Sequence, residues 1–163
     1  MESFYNYPIV EGVGIGGIKI GEKMDASNEI FPFLKKVHKE SDKISLIYTY
    51  NDIITIYCKK DTKLIYKINV QKGYLGKFKN LIGIGDIFYD LISLKTELLF
   101  DDFDYVFYLE NYRGICFESN SIDVSSIDLK ILKIDFITVY DRTLDTDESI
   151  DNLVTVSTSN LFN

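Results

Sequence analysis

Four carboxylates crowd one short stretch of the chain: Glu97, Asp101, Asp102 and Asp104. Paired acids can divide acid and base roles at a glycosidic bond, or ligate magnesium. The same stretch lies between a helical segment and an aromatic hairpin, where Asp is a common turn residue. No histidine is near it in sequence. Three readings stay open: a solvated acidic loop, a patch that meets a basic partner, and a catalytic pair. The other reactive side chains are isolated. His38 is the only histidine. A zinc site would need it to converge with Cys58, Cys116 and a carboxylate from distant positions, with no local ligand spacing. A surface histidine at a lysine-rich helix end is the simpler reading. Cys58 and Cys116 are the only cysteines. Neither sits in a Cys-x-x-Cys pair or at a clear helix N-terminus, so both read as buried, reduced thiols. Gly12-x-Gly14-x-x-Gly17 matches the dinucleotide fingerprint by letter. Its context is wrong, because only Pro8-Ile9-Val10 precedes it and Ile18-Lys19-Ile20 reads as strand rather than helix. The expectation is a protein without catalytic residues, metal or cofactor.

The elements around these residues read mostly as strands. Tyr and Phe are abundant, at 12 and 11, and Pro is scarce, at 2, a composition that favours sheet. Ile44 to Cys58 reads as a hairpin turning at Asn51-Asp52. Tyr105 to Phe117 reads as another, turning near Asn111-Tyr112-Arg113-Gly114. From Lys63 to Val70 the apolar residues Leu64, Tyr66, Ile68 and Val70 alternate with polar ones, giving one buried and one wet face. Lys59, Lys60, Lys63 and Lys67 give that strand the look of a protected edge. Leu132 to Tyr140 alternates as well. Helices are expected from Asp25, Ser27 or Phe31 to about Glu40, and from an Asp86 N-cap through Ile87, Leu91 and Leu94.

Ile15 to Met24 and Asn80 to Ile87 share an apolar-x-apolar-Gly-acid pattern, each followed by a helical stretch and an aromatic hairpin. The chain therefore reads as a degenerate two-fold repeat. The fold expected is α+β: a mostly antiparallel sheet of roughly six to eight strands with helices packed on one face. Residues 1–140 form the domain. Residues 141–163 form an acidic, loosely attached tail with one short strand at Leu153 to Val156.

A chain of 163 residues is one domain's worth and can bury a core without disulfides. Its net charge of -7 is uneven. Residues 1–96 carry 14 Lys+Arg against 11 Asp+Glu, and residues 97–163 carry 4 against 14. Such acidity disfavours direct binding of DNA or RNA, and suits either a basic protein partner or simple solubility. The start, Met1-Glu2-Ser3-Phe4-Tyr5-Asn6, lacks the features of a signal peptide. No apolar run nears the roughly 20 residues that span a bilayer. A cytoplasmic location without membrane attachment is expected. The surplus tyrosines fall in the hairpins, at Tyr48, Tyr50, Tyr57, Tyr105, Tyr108 and Tyr112. They read equally as core and as interface, where Tyr supplies apolar area plus a hydroxyl.

A small, acidic α+β chain rich in Ile, Tyr, Asp and Lys, opening Ile15-Gly16-Gly17-Ile18-Lys19-Ile20-Gly21 and lacking a catalytic motif, resembles the immunity proteins of bacterial contact-dependent growth inhibition. The resemblance covers the whole chain in character and carries no residue role by position. It implies a cytoplasmic protein that binds the C-terminal toxin domain of a large secreted effector, often a nuclease, and occludes its active site or an adjacent surface. Any metal would belong to the toxin. On the residue reading, Asp101, Asp102, Asp104 and Glu110 are the candidate electrostatic contacts, and Tyr108 and Tyr112 the candidate aromatic anchors. The Leu64 to Val70 strand is a candidate edge for strand addition. The alternative is a sheet or barrel whose aromatics line a pocket for a small apolar ligand.

Overall fold

The computed structural model describes residues 2–37, 45–121, 128–146 and 152–156. Nine strands form one antiparallel sheet. In chain order these are β4 (Lys35–Val37), β5 (Ser45–Tyr50), β6 (Ile54–Lys59), β7 (Ile65–Val70), β8 (Leu98–Asp101), β9 (Val106–Leu109), β10 (Tyr112–Glu118), β11 (Phe136–Tyr140) and β12 (Val154–Thr155). Three two-residue strands, β1 (Ile9–Val10), β2 (Gly14–Ile15) and β3 (Ile18–Lys19), form a separate small sheet. In space the large sheet runs β12-β8-β9-β10-β11-β7-β6-β5-β4. Two four-stranded meanders, β4 to β7 and β8 to β11, thus meet through their last strands. Ile137 pairs with Val70, and Tyr140 with Lys67.

The turns follow from residues that tolerate left-handed backbone. Asn51 and Asp52 have φ of 49° and 56°. The Ile53 amide donates to the Tyr50 carbonyl at 3.0 Å, closing the β5–β6 hairpin where the sequence places it. Gly16 and Gly17, at φ 65° and 80°, make the two-residue turn between β2 and β3. The glycines of the apparent dinucleotide motif therefore belong to a small β-meander, and no helix follows them. Glu110 and Asn111 join β9 to β10. Gly114 lies in β10 where the register against β9 shifts, with φ 83°. A Cβ there would sit 2.6 Å from Gly12 Cα, because the Gly12 amide donates to the Gly114 carbonyl. Only glycine lets the small sheet dock on β10 this closely.

Both faces of the large sheet carry apolar residues, but only one is the main core. On it lie Ile54, Ile56 and Cys58 of β6, Ile65, Ile68 and Val70 of β7, Ile137 and Val139 of β11, Ile115 and Phe117 of β10, and Phe107 and Leu109 of β9. The small sheet and the connecting segments cover this face through Ile15, Met24, Ile30, Phe78, Ile82, Phe88 and Leu91. Phe107 is flanked by Phe88 at 4.4 Å and Phe100 at 4.7 Å between ring centroids, close enough to add to plain burial.

Three expectations are corrected. Helices do not form the covering layer: the described residues hold only short 3-10 helices, at Glu2–Tyr5, Phe31–Phe33, Phe88–Leu94 and Arg142–Leu144. Pro32 allows one turn, after which Leu34 is extended and Lys35–Val37 pairs with β5 instead of continuing a helix. His38, Lys39 and Glu40 lie outside the described residues. Asp86 does not cap the second helix. Its carboxylate accepts from the Gly83 amide at 2.8 Å and pairs with Lys77 Nζ at 3.2 Å, and the extended Ile87 precedes the helix.

The last correction concerns β7, which is an interior strand between β6 and β11 rather than an edge. Lys60 and Lys63 sit in and beside the β6–β7 turn, and Lys67 stands over the Tyr57 ring at 4.1 Å. Among the described residues the edges are β4 and β12. The strict alternation of this strand also breaks. Cys58 pairs with Ile65 and Tyr57 with Lys67, so Tyr66 is an inserted bulge residue. Tyr66 then faces away from the core, beside Tyr57 and hydrogen-bonded to Ser45 Oγ at 2.6 Å.

The tail follows its expectation in one respect: a short strand forms at Val154–Thr155, pairing with Phe100 and Leu99 of β8. Residues 141–146 are hydrogen-bonded to the body. Asp141 caps the turn at Arg142–Leu144, and Arg142 donates to the Glu11 carbonyl at 2.9 Å. Residues 147–151 and 157–163 of the tail lie outside the described residues. Both cysteines are free and buried. Among the described residues no helix is long and apolar enough to cross a membrane.

Candidate functional site

The second face of the sheet forms an open groove of about 610 Å³. The β-period builds it. Residues that alternate with the core positions come forward side by side: Tyr57 of β6, Lys67 and Asn69 of β7, Phe136, Thr138 and Tyr140 of β11, Arg113, Cys116 and Glu118 of β10, and Val106 and Tyr108 of β9. The β8–β9 turn contributes Asp101 and Asp104, and the tail contributes Leu144, Asp145 and Leu153. Four carboxylates therefore face two cations.

The floor is held by paired polar groups. Asn69 Nδ2 donates to Thr138 Oγ1 at 2.8 Å. The Tyr108 and Tyr140 rings meet edge to face, 6.4 Å apart. Tyr140 O–H donates to Asp145 Oδ1 at 2.8 Å, while Asp145 Oδ2 is buried without a hydrogen-bond partner. Burial pushes the Tyr108 phenol up, helped by the neighbouring Cys116 thiol and by the negative field of Asp101, Asp145 and Asp104. Burial likewise raises Tyr140, which also holds its proton on Asp145. Glu118 is raised by burial and by Asp104, against the pull of Lys67. The groove is thus an anionic, tyrosine-walled surface on which the Tyr108 and Tyr140 phenols stay protonated. The Cys116 thiol is pushed up by burial and then by Glu118, and Cys58, in the core, is pushed up to about 12 by burial. Neither is an activated nucleophile. The arrangement is suited to binding a cationic surface.

The chain matches no protein-family model, no curated protein and no solved structure.

The residues singled out from sequence separate into two groups. Asp101, Asp104 and Tyr108 come together at the groove, with the exposed Asp102 on the same β8–β9 turn. Glu110 and Tyr112 do not join them. Glu110 is exposed in the β9–β10 turn, its amide bonded to the Glu97 carbonyl at 3.0 Å. Tyr112 lies on the core side, edge-on to Phe78 at 5.4 Å and under Lys79 Nζ at 5.0 Å. Glu97 is exposed and is not among the groove-lining residues. Among the described residues no group of three or more His, Cys, Asp or Glu is placed to hold a metal ion.

Sequence reasoning missed Lys67, Arg113, Glu118, Tyr140 and Asp145 as groove residues. The one available signal was polarity within apolar strands: Glu118 closes the run Ile115-Cys116-Phe117, and Thr138 interrupts Phe136 to Tyr140.

Proposed function

We propose that this protein is an immunity protein. It binds the C-terminal toxin domain of a large secreted bacterial effector and neutralises it by occluding its active site or an adjacent surface. It acts in the cytoplasm of the producing cell and is not an enzyme. The observation that carries the reading is the groove: an open, tyrosine-walled sheet face with Asp101, Asp104, Glu118 and Asp145 gathered on it. Carboxylates held at fixed spacing complement a basic surface and can occupy the positions where a nuclease would otherwise hold phosphates. A basic nuclease is therefore the toxin class that fits best. The test is calorimetry with the purified C-terminal domain encoded directly upstream. Tight one-to-one binding with loss of toxicity is expected, and the absence of binding at low and moderate salt would remove the reading.

A groove of this volume also falls in the range of small-molecule sites. Its lining of six ionisable Asp, Glu, Lys and Arg side chains suits an apolar ligand poorly, and the sheet does not close into a barrel. The degenerate repeat is proposed on the strand order alone. Cys58 and Cys116, each on the third strand of its meander, face opposite sides of the sheet.

A further inference from the structure

Phe103 is 86% exposed, more than any other large apolar side chain among the described residues. It stands at the tip of the β8–β9 turn between Asp102 and Asp104. The turn is built to present it. Asp101 Oδ1 accepts from the Phe103 amide at 3.0 Å and from the Asp104 amide at 3.2 Å. Tyr105 closes the turn at φ 59°, its ring 6.4 Å from that of Phe100. A turn of this shape favours Asp, Asn or Gly. It has no use for an exposed phenyl ring, which gains nothing from folding when it remains in water.

We propose that Phe103 is the anchor residue of the toxin-binding surface, which rests on the immunity reading above. It enters an apolar socket on the partner, and basic residues around that socket meet Asp101, Asp102 and Asp104. The charges select this occupant. Three carboxylates in four residues oppose a second copy of the same turn and oppose an anionic membrane, and they attract a basic protein rim. Aromatic side chains of this kind, seated in a desolvated pocket and ringed by polar contacts, carry a large share of interface energy.

The test measures binding of the full chain and its variants to the upstream-encoded C-terminal domain. Phe103→Ala should raise Kd by at least about thirtyfold with an unchanged Tm, since the ring contributes no core contact. Phe103→Leu should recover part of that loss. Asp102→Asn with Asp104→Asn should slow association more than it speeds dissociation. Tight wild-type binding with Phe103→Ala within about threefold of it would overturn the anchor and leave the immunity reading standing. No binding by the wild type would overturn both. Sedimentation of the wild type, but not of Phe103→Ala, with phosphatidylglycerol vesicles, alongside unaffected toxin binding, would assign the ring to a membrane and overturn the proposal.

Discussion

Glu118 is an acid at the end of β10, half-buried on the groove side, with Lys67 and Asp104 acting on it from opposite directions. Burial raises its pKa above that of a free carboxylate. A raised acid favours folding most when protonated, so its contribution is fully present below the unfolded value near 4.5 and is lost as pH rises through the folded value. Glu118→Gln should therefore raise Tm at pH 7, and the gain should vanish near pH 4. Thermal scans at the two pH values check this. A charge kept at a cost to stability is expected where a partner uses it, so on the immunity reading proposed above the same variant should weaken toxin binding. Tyr140→Phe should lower stability by about 1 kcal/mol in urea titration, because it leaves Asp145 Oδ1 without its donor. Residue chemistry was legible in part. The Asp101 to Asp104 run is visible in the sequence, and half of the groove is not. Lys67, Glu118 and Asp145 are far apart in the chain, and only the β11–β7 and β10–β11 pairings bring them to one face.

At the level of elements, local rules succeeded at turns and failed where tertiary pairing competed with them. Asn51-Asp52 marked the first hairpin because those residues accept positive φ. The helix expected to run to Glu40 stopped after one turn, because Lys35–Val37 could complete a ladder with β5. The alternation from Leu64 to Val70 could not reveal the bulge at Tyr66, which moves a tyrosine from the core to the far face. Gly114 is the clearest element-scale constraint. Gly114→Ala should destabilise by roughly 1–3 kcal/mol, from strain at φ 83° and from the clash with Gly12. Phe88→Ala should cost about 3–5 kcal/mol, since its ring is fully buried against Phe107. Urea titration measures both.

Across the whole molecule, two meanders joined at β7 and β11 give a broad sheet with one face closed and the other open. The closed face needs no α-helix, because the small sheet and the segments at 71–97 supply Phe78, Ile82, Phe88 and Leu91 to the core. The open face gathers the acidic second half of the chain: Asp101, Asp104, Glu118 and Asp145 all follow residue 96. Part of the acidity of the second half thus comes to lie on one face, against Lys67 and Arg113. Association with a basic partner should then slow steeply as salt rises, and charge reversal at the exposed Asp102 and Asp104 should flatten that dependence. Stopped-flow association rates across a salt series check it. The most direct measurement is calorimetric titration of this protein against the C-terminal effector domain that the proposed function expects to be encoded immediately upstream, with a toxicity assay on the same mixture. A one-to-one complex of nanomolar affinity or tighter that abolishes toxicity is expected. No heat of binding at either low or moderate salt, with toxicity intact, would contradict a toxin-neutralising role.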